Sequence, residues 1–267
     1  MNMNAVLMAV VVVGGVGLLI GILLGVAGKK FEVEVDERVA RVREHLAGSN
    51  CGGCGFAGCD AAAAAMVAGE APPSACAPAG AENAKAIGEI LGVSVGDIEK
   101  KVAYVKCSGT CDKTVMQSQY FGITDCVKAT TMPGGTDKAC SFGCMGMGSC
   151  VSVCTQDAIH IVNGVAVVDP ERCGACGACV KICPKHLIEL IPYKPVQMVS
   201  CSNTQKGKDV KAVCTAGCIG CGICVKQCEF GAVALENNLA KIDPAKCTNC
   251  GKCAAKCPVK VIKMVKA

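Results

Sequence analysis

CGACGACVKICP, residues 173–184, sets four cysteines at C-x2-C-x2-C-x3-C and follows the last with proline. CTNCGKCAAKCP at 247–258 repeats the pattern, and CIGCGICVKQCE at 218–229 repeats the cysteine spacing with Glu229 in the proline position. Four thiolates so spaced are the ligand pattern of a [4Fe–4S] cluster, the fourth cysteine of each run serving the neighbouring cluster. The chain carries 25 cysteines in 267 residues. An odd count with C-x2-C spacing suits metal in a reducing compartment better than a disulfide framework.

These runs belong to a larger repeat. Cys140, Cys144, Cys150, Cys154, Cys173, Cys176, Cys179 and Cys183 recur 74 residues later as Cys214, Cys218, Cys224, Cys228, Cys247, Cys250, Cys253 and Cys257. The spacers match as well: VVDPERC at 167–173 echoes AKIDPAKC at 240–247. Each copy reads as a two-cluster ferredoxin-like unit. In the second copy the crossover assigns Cys218, Cys221, Cys224 and Cys257 to one cluster and Cys247, Cys250, Cys253 and Cys228 to the other.

The first copy departs from this pattern, since GCMGMGSC at 143–150 sets Met147 where the second has Cys221. A thioether is not a usual cluster ligand, and Cys140 is the nearest spare thiol. The expected sets are therefore Cys140, Cys144, Cys150 and Cys183, and Cys173, Cys176, Cys179 and Cys154. The alternative is that the irregular site is absent or holds three irons. Cys107, Cys111, Cys126, Cys201 and Cys214 are left over. KCSGT at 106–110 and SCSNT at 200–204 resemble each other; an extra cluster and buried structural thiols are both open readings, the second preferred.

A further set lies upstream: Cys51, Cys54, Cys59 and Cys76, the first three in CGGCGFAGC. Glycine lets the backbone fold tightly enough for thiolates to converge and leaves N–H groups free to face sulfide. Zinc is the alternative for any four-cysteine site, but the neighbouring runs favour [4Fe–4S]. Asp60 opens an alanine-rich helix ending at Gly69, residues 81–92 read as a second helix, and 102–107 as a strand.

Residues 1–28 contain no charged side chain. From Asn4 to Ala27 the chain is apolar, long enough as a helix to reach roughly 36 Å against a hydrocarbon core of ~30 Å. Gly17, Gly21 and Gly25 form a stripe suited to close helix packing in lipid, though glycine is simply common in such helices. A cleaved signal peptide would need a positive n-region, which is missing, and a shorter apolar run. Lys29 and Lys30 follow the span and set its C-terminal side in the cytoplasm.

The fold class expected is α+β. Residues 1–28 form a transmembrane anchor, 29–49 a linker helix and 50–101 a four-cysteine domain. Residues 102–199 and 200–267 form the first and second ferredoxin-like units. About five [4Fe–4S] clusters follow. Residues 31–106 carry net −4 and residues 107–267 net +7, so the cluster-bearing half suits an acidic redox partner or is simply a solvated mixed surface. Lys181, Lys226 and Lys256, one inside each run, read as surface charges. Dinucleotide-binding glycine motifs after a strand, Walker sequences and Ser-His-Asp arrangements are missing, and His45, His160 and His186 are scattered. No catalytic residue and no nucleic-acid partner is expected.

An N-terminal helix, then C-G-x-C-G-x-A-G-C with a later cysteine, then ferredoxin repeats: this order resembles the B subunit of the Rnf complex over nearly the whole chain. The residues carrying the resemblance are the helix at 4–27, the set Cys51, Cys54, Cys59 and Cys76, and the eight-cysteine units. The resemblance implies a subunit of a membrane ferredoxin:NAD+ oxidoreductase that couples electron flow to Na+ or H+ transport. It implies docking of soluble ferredoxin on the cytoplasmic side and further membrane and peripheral partner subunits. The doubled unit is similar to the longer form of anaerobes. An iron–sulfur subunit of another membrane redox complex and a zinc-stapled interaction protein are the rivals.

Overall fold

The structure, a computed structural model, describes residues 3–30, 36–132 and 135–265; in the first helix the side chains are described at Met3, Met8 and from Val12 to Ala27. Parts of the anchor, the linker and the second unit expected at 1–2, 31–35 and 266–267 lie outside the described residues. Helix α1, Met3–Lys30, is followed by α2, Glu37–Glu44, whose start is capped by Asp36 accepting from Arg38 N at 2.9 Å. The side chains of α1 from Val12 to Val26 are exposed. Among the described residues, no helix is long and apolar enough to cross a membrane.

Helix α3, Cys59–Val67, a 3-10 turn at Ala77–Ala79 and α4, Gly80–Leu91, complete a small helical domain. The alanine run lets α2 approach α3 closely. Val42, Ala62, Ala63, Met66 and Ile87 are each at most 2% exposed and form one core. Arg43 Nε pairs with Asp60 Oδ1 at 2.8 Å across the same contact.

The remaining chain is two copies of one motif. The first runs β1 Lys101–Val105, α5 Cys126–Ala129, α6 Ser149–Ser152, β2 Ile159–Val162, β3 Val165–Val168, α7 Ala178–Ile182 and β4 Ile188–Pro192. The second runs β5 Val196–Val199, α8 Gly207–Val213, α9 Ile223–Gln227, β6 Val233–Glu236, β7 Leu239–Ile242, α10 Lys252–Ala255 and β8 Ile262–Val265. In each, the outer strands pair antiparallel, β1 with β4 (Val102 opposite Ile191) and β5 with β8 (Val196 opposite Val265). The inner strands form hairpins, β2 with β3 and β6 with β7. Asn163–Gly164 and Asn237–Asn238 turn them, all four at positive φ, as a two-residue turn matching strand twist requires. By strand pairing Val196 to Val199 go with the second motif.

The units share structure. Val102 and Ile191 from one meet Val196 and Met198 from the other in a single core, against which Cys173 and Cys247 both pack. Thr114 bridges Cys214, Val115 N donates to Val213 O at 2.9 Å, and Tyr104 Oη lies 2.6 Å from Ser200 Oγ. With so few aromatics, buried cysteines make up part of every core except the junction.

Candidate metal centres

In the helical domain Cys51, Cys54, Cys59 and Cys76 line one cavity of about 360 Å³. Asn50 takes a left-handed φ of 46° and accepts from Cys59 N at 2.8 Å, turning the glycine loop into α3. Ser49 also lines the cavity, and its hydroxyl is buried without a partner. The cavity reaches Cys176 and Lys181 of the first ferredoxin-like unit. The contact is made by backbone: a Cβ on Gly53 would stand 2.5 Å from Cys176 O, and one on Gly174 2.9 Å from Pro78 Cβ.

In the first unit Cys154 joins Cys173, Cys176 and Cys179 around one pocket. Ala103 N donates to Cys173 Sγ at 3.4 Å and Ala158 N to Cys154 Sγ at 3.3 Å. Cys144, Cys150 and Cys183 line a second pocket, and the fourth thiol there is Cys126. The grouping expected from the sequence assigned Cys140 to that set. Cys140 lies instead with Cys107, Cys201 and Cys214 between the units. The physical reason is a long excursion: 33 residues separate Cys107 from Cys140, where 13 separate their counterparts Cys201 and Cys214. The extra chain brings α5 back over the pocket. Asp125 caps α5 by accepting from Lys128 N at 2.8 Å, and buried Ser149 accepts from Cys126 N at 2.7 Å.

In the second unit Cys218, Cys221, Cys224 and Cys257 line one pocket. Cys228, Cys247 and Cys253 share the same core, with Cys250 beside Cys253. Ala232 N donates to Cys228 Sγ at 3.3 Å, reproducing the Ala158–Cys154 contact 74 residues on. Cys221 and Cys250 are exposed, whereas Cys176, the counterpart of Cys250, is covered by the helical domain.

Burial, with the neighbouring Cys144, Cys126 and Cys183, pushes the Cys150 thiol up to about 12. Burial and the neighbouring sulfurs push Cys179 and Cys224 up to about 11. Thiols packed this way oppose one another's ionisation, and a multivalent cation among them reverses that, because a coordinated thiol is deprotonated outright. The donor chemistry thus fits iron–sulfur clusters: soft sulfur, low dielectric and backbone N–H groups aimed at sulfur. A single zinc ion would draw its four sulfurs to within about 3.8 Å of one another. Among the described residues no group of three or more His, Cys, Asp or Glu side chains is drawn together to hold one metal ion.

Sequence reasoning missed the position of Cys126 beside Cys144, Cys150 and Cys183 and the convergence of Cys107, Cys140, Cys201 and Cys214. The likeness of KCSGT to SCSNT, taken with the pairing of Cys140 and Cys214 in the repeat, carried the second signal. Cys126 has no counterpart in the second copy and left none.

Family models match in three places: an Fe-S cluster model over residues 46–78, a 4Fe-4S binding domain over 166–189 and a 4Fe-4S dicluster domain over 217–261. The chain therefore binds [4Fe–4S] clusters. It is 48% identical over 261 residues to the B subunit of the Na(+)-translocating ferredoxin:NAD(+) oxidoreductase complex of Acetobacterium woodii, covering 97% of this chain and 78% of the relative. It is 42% identical to the B subunit of the proton-translocating ferredoxin:NAD(+) oxidoreductase complex of Clostridium ljungdahlii, covering 98% and 94%. It is 40% identical to the B subunit of the ion-translocating oxidoreductase complex of Methanosarcina acetivorans, covering 98% and 100%.

Proposed function

The chain belongs to the B-subunit family of ion-translocating ferredoxin:NAD(+) oxidoreductase (Rnf) complexes, and from that premise we propose that it takes electrons from reduced soluble ferredoxin and relays them to membrane partner subunits. The observation that carries this reading is the contact between the helical domain and Cys176, which sets one thiol-lined cavity directly against the next. When bound, each [4Fe–4S] cluster supplies a one-electron carrier. The chain's own residues hold the thiolates, exclude water and direct N–H groups at sulfur, which tunes potential. No side chain is required as general acid or base.

Five cluster sets are proposed on these grounds: Cys51, Cys54, Cys59 and Cys76; Cys154, Cys173, Cys176 and Cys179; Cys126, Cys144, Cys150 and Cys183; Cys218, Cys221, Cys224 and Cys257; and Cys228, Cys247, Cys250 and Cys253. The exposure of Cys221 and Cys250 favours the second unit as the face met by soluble ferredoxin, and the net +7 of residues 107–267 favours an acidic partner there.

We assign α1 as the membrane anchor. The side chains of α1 described in one run, Val12 to Ala27, are too few to span a bilayer by themselves, but the apolar sequence extends from Asn4 to Ala27 and its exposed side chains find no cover among the described residues; Lys29 and Lys30 directly after the run favour a cytoplasmic position for everything that follows. The test uses the purified complex with and without this subunit. Ferredoxin-dependent NAD+ reduction should disappear without it. Activity that persists, or a colourless zinc-only protein, would overturn the reading.

A further inference from the structure

The two ferredoxin-like units differ at one further place, beside a cluster set but not in its cysteines. Inside CGAC and CTNC the 74-residue repeat makes Asn249 of the second unit the counterpart of Ala175 of the first. The strand register supplies a second pair. Ala103 on β1 lies opposite Leu190 on β4, and Gln197 on β5 lies opposite Met264 on β8. Leu190 and Met264 are 74 residues apart, so Gln197 is the counterpart of Ala103. Where the first unit has two alanines, the second has two amides.

Both positions lie against a cluster set. In the first unit Ala103 and Ala175 line the pocket of Cys154, Cys173, Cys176 and Cys179, and Ala103 N donates to Cys173 Sγ at 3.4 Å. In the second, Asn249 stands between Cys247 and Cys250, and a Cβ on Gly251 of the same loop would stand 4.0 Å from Gln197 Nε2. Side chains alternate along a strand, so Gln197 shares a face of β5 with Val199 and not with Val196 and Met198. Val199 belongs to the core that holds Cys228, Cys247 and Cys253, whereas Val196 and Met198 face the junction between the units. The Gln197 amide therefore enters the sulfur-lined core of the Cys228, Cys247, Cys250 and Cys253 set.

Gln197 is 2% exposed. Its Nε2 donates to Asn249 Oδ1 at 3.2 Å, and its Oε1 is buried without a partner. A buried amide atom left unpaired is costly, and a half-turn of an amide exchanges its oxygen and nitrogen. With both amides turned, Asn249 Nδ2 donates to Gln197 Oε1, and the Gln197 NH2 group takes the unpaired position. Apart from its cysteines that core is aliphatic, so sulfur is the acceptor at hand. The turn itself does not require the pair. Ala175 has φ 53° and Asn249 φ 61°, the same left-handed backbone without and with an amide.

We propose that Gln197, oriented by Asn249, donates its side-chain N–H to the sulfurs of the [4Fe–4S] cluster of the Cys228, Cys247, Cys250 and Cys253 set and raises that cluster's reduction potential. This rests on the electron-relay reading above and on its cluster sets. An N–H directed at sulfur favours the reduced cluster, which carries one more negative charge. The alanine at position 103 brings no such donor from its side chain. Two clusters in equivalent folds are thereby set apart, and the one whose Cys250 is exposed becomes the more readily reduced.

The test is an EPR-monitored redox titration of the anaerobically purified full chain, beside Gln197→Met, which removes the amide at similar volume, and Gln197→Ala, which restores the first unit's residue. Cys250→Ser, which alters a ligand of that cluster, marks which midpoint belongs to it. Both Gln197 variants should keep the iron and sulfide of the unaltered chain and move that midpoint to lower potential, with the others in place. Asn249→Ala should move the same midpoint in the same direction. Midpoints unmoved at full iron, or a shift upward or at another cluster, would overturn the tuning role and leave the relay standing. Iron lost from both Gln197 variants would make the residue a structural support and overturn it equally. An unaltered chain without iron would sink the relay itself.

Discussion

The two ferredoxin-like units solve one problem with different sequences. In the second, Cys218, Cys221, Cys224 and Cys257 are the regular run and its crossover partner. In the first, Met147 occupies the position of Cys221, and Cys126, 21 residues upstream, lines the pocket with Cys144, Cys150 and Cys183 and is the proposed fourth ligand. On the proposed assignment a ligand set is a property of the pocket and not of the run. A cysteine lost from a tight motif can be replaced by one on an insertion, provided something pins the insertion down. Here that is the Ser149 hydroxyl on Cys126 N and the Asp125 cap on α5.

The largest effect should come from removing the substitute. Cys126→Ala is expected to lose about four irons per chain, or about one if a three-iron cluster persists. Adding Met147→Cys to that variant should restore the content by returning the first unit to the second unit's pattern. Iron and sulfide analysis with EPR after dithionite reduction reads both. If Cys126→Ala keeps its full iron, the two units do not differ in the way described.

The units differ also in what covers them. Cys176 is covered by the helical domain through Gly53, whereas its counterpart Cys250 is exposed. Gly53→Ala drives a methyl into the Cys176 carbonyl, a rigid backbone atom, and should cost about 1–3 kcal/mol in denaturant unfolding of the holoprotein. Gly96→Ala, with no heavy atom near its would-be Cβ, is the control and should show no comparable loss.

The smallest effect is expected at the pin. Ser149→Ala removes the acceptor of the Cys126 N–H and should destabilise by about 1 kcal/mol with iron content unchanged. A shift in denaturation midpoint without iron loss separates it from Cys126→Ala. An unchanged midpoint would mean that α5 is held by other means.

Much of this architecture was legible in the chain. The 74-residue repeat carried the two units, because motif spacing and spacer sequence recur together. The helix expected at 81–92 forms at Gly80–Leu91, and the strand expected at 102–107 at Lys101–Val105. Local periodicity suffices there, since each element buries a face set by its own residues. The partners of the irregular thiols were not legible. Cys126 reaches its pocket through a long loop, and Cys140 faces the seam because the second unit supplies Cys201 and Cys214. Both depend on contacts between segments far apart in sequence, which spacing rules do not encode.

Alkylation of the native, anaerobically isolated protein with iodoacetamide, mapped residue by residue, tests the cysteine assignment most directly. Exposed Cys111 should be modified first, and the 20 cysteines of the five proposed sets only after the clusters are destroyed. Modification of Cys126 at the rate of Cys111 in protein that retains its iron would contradict it.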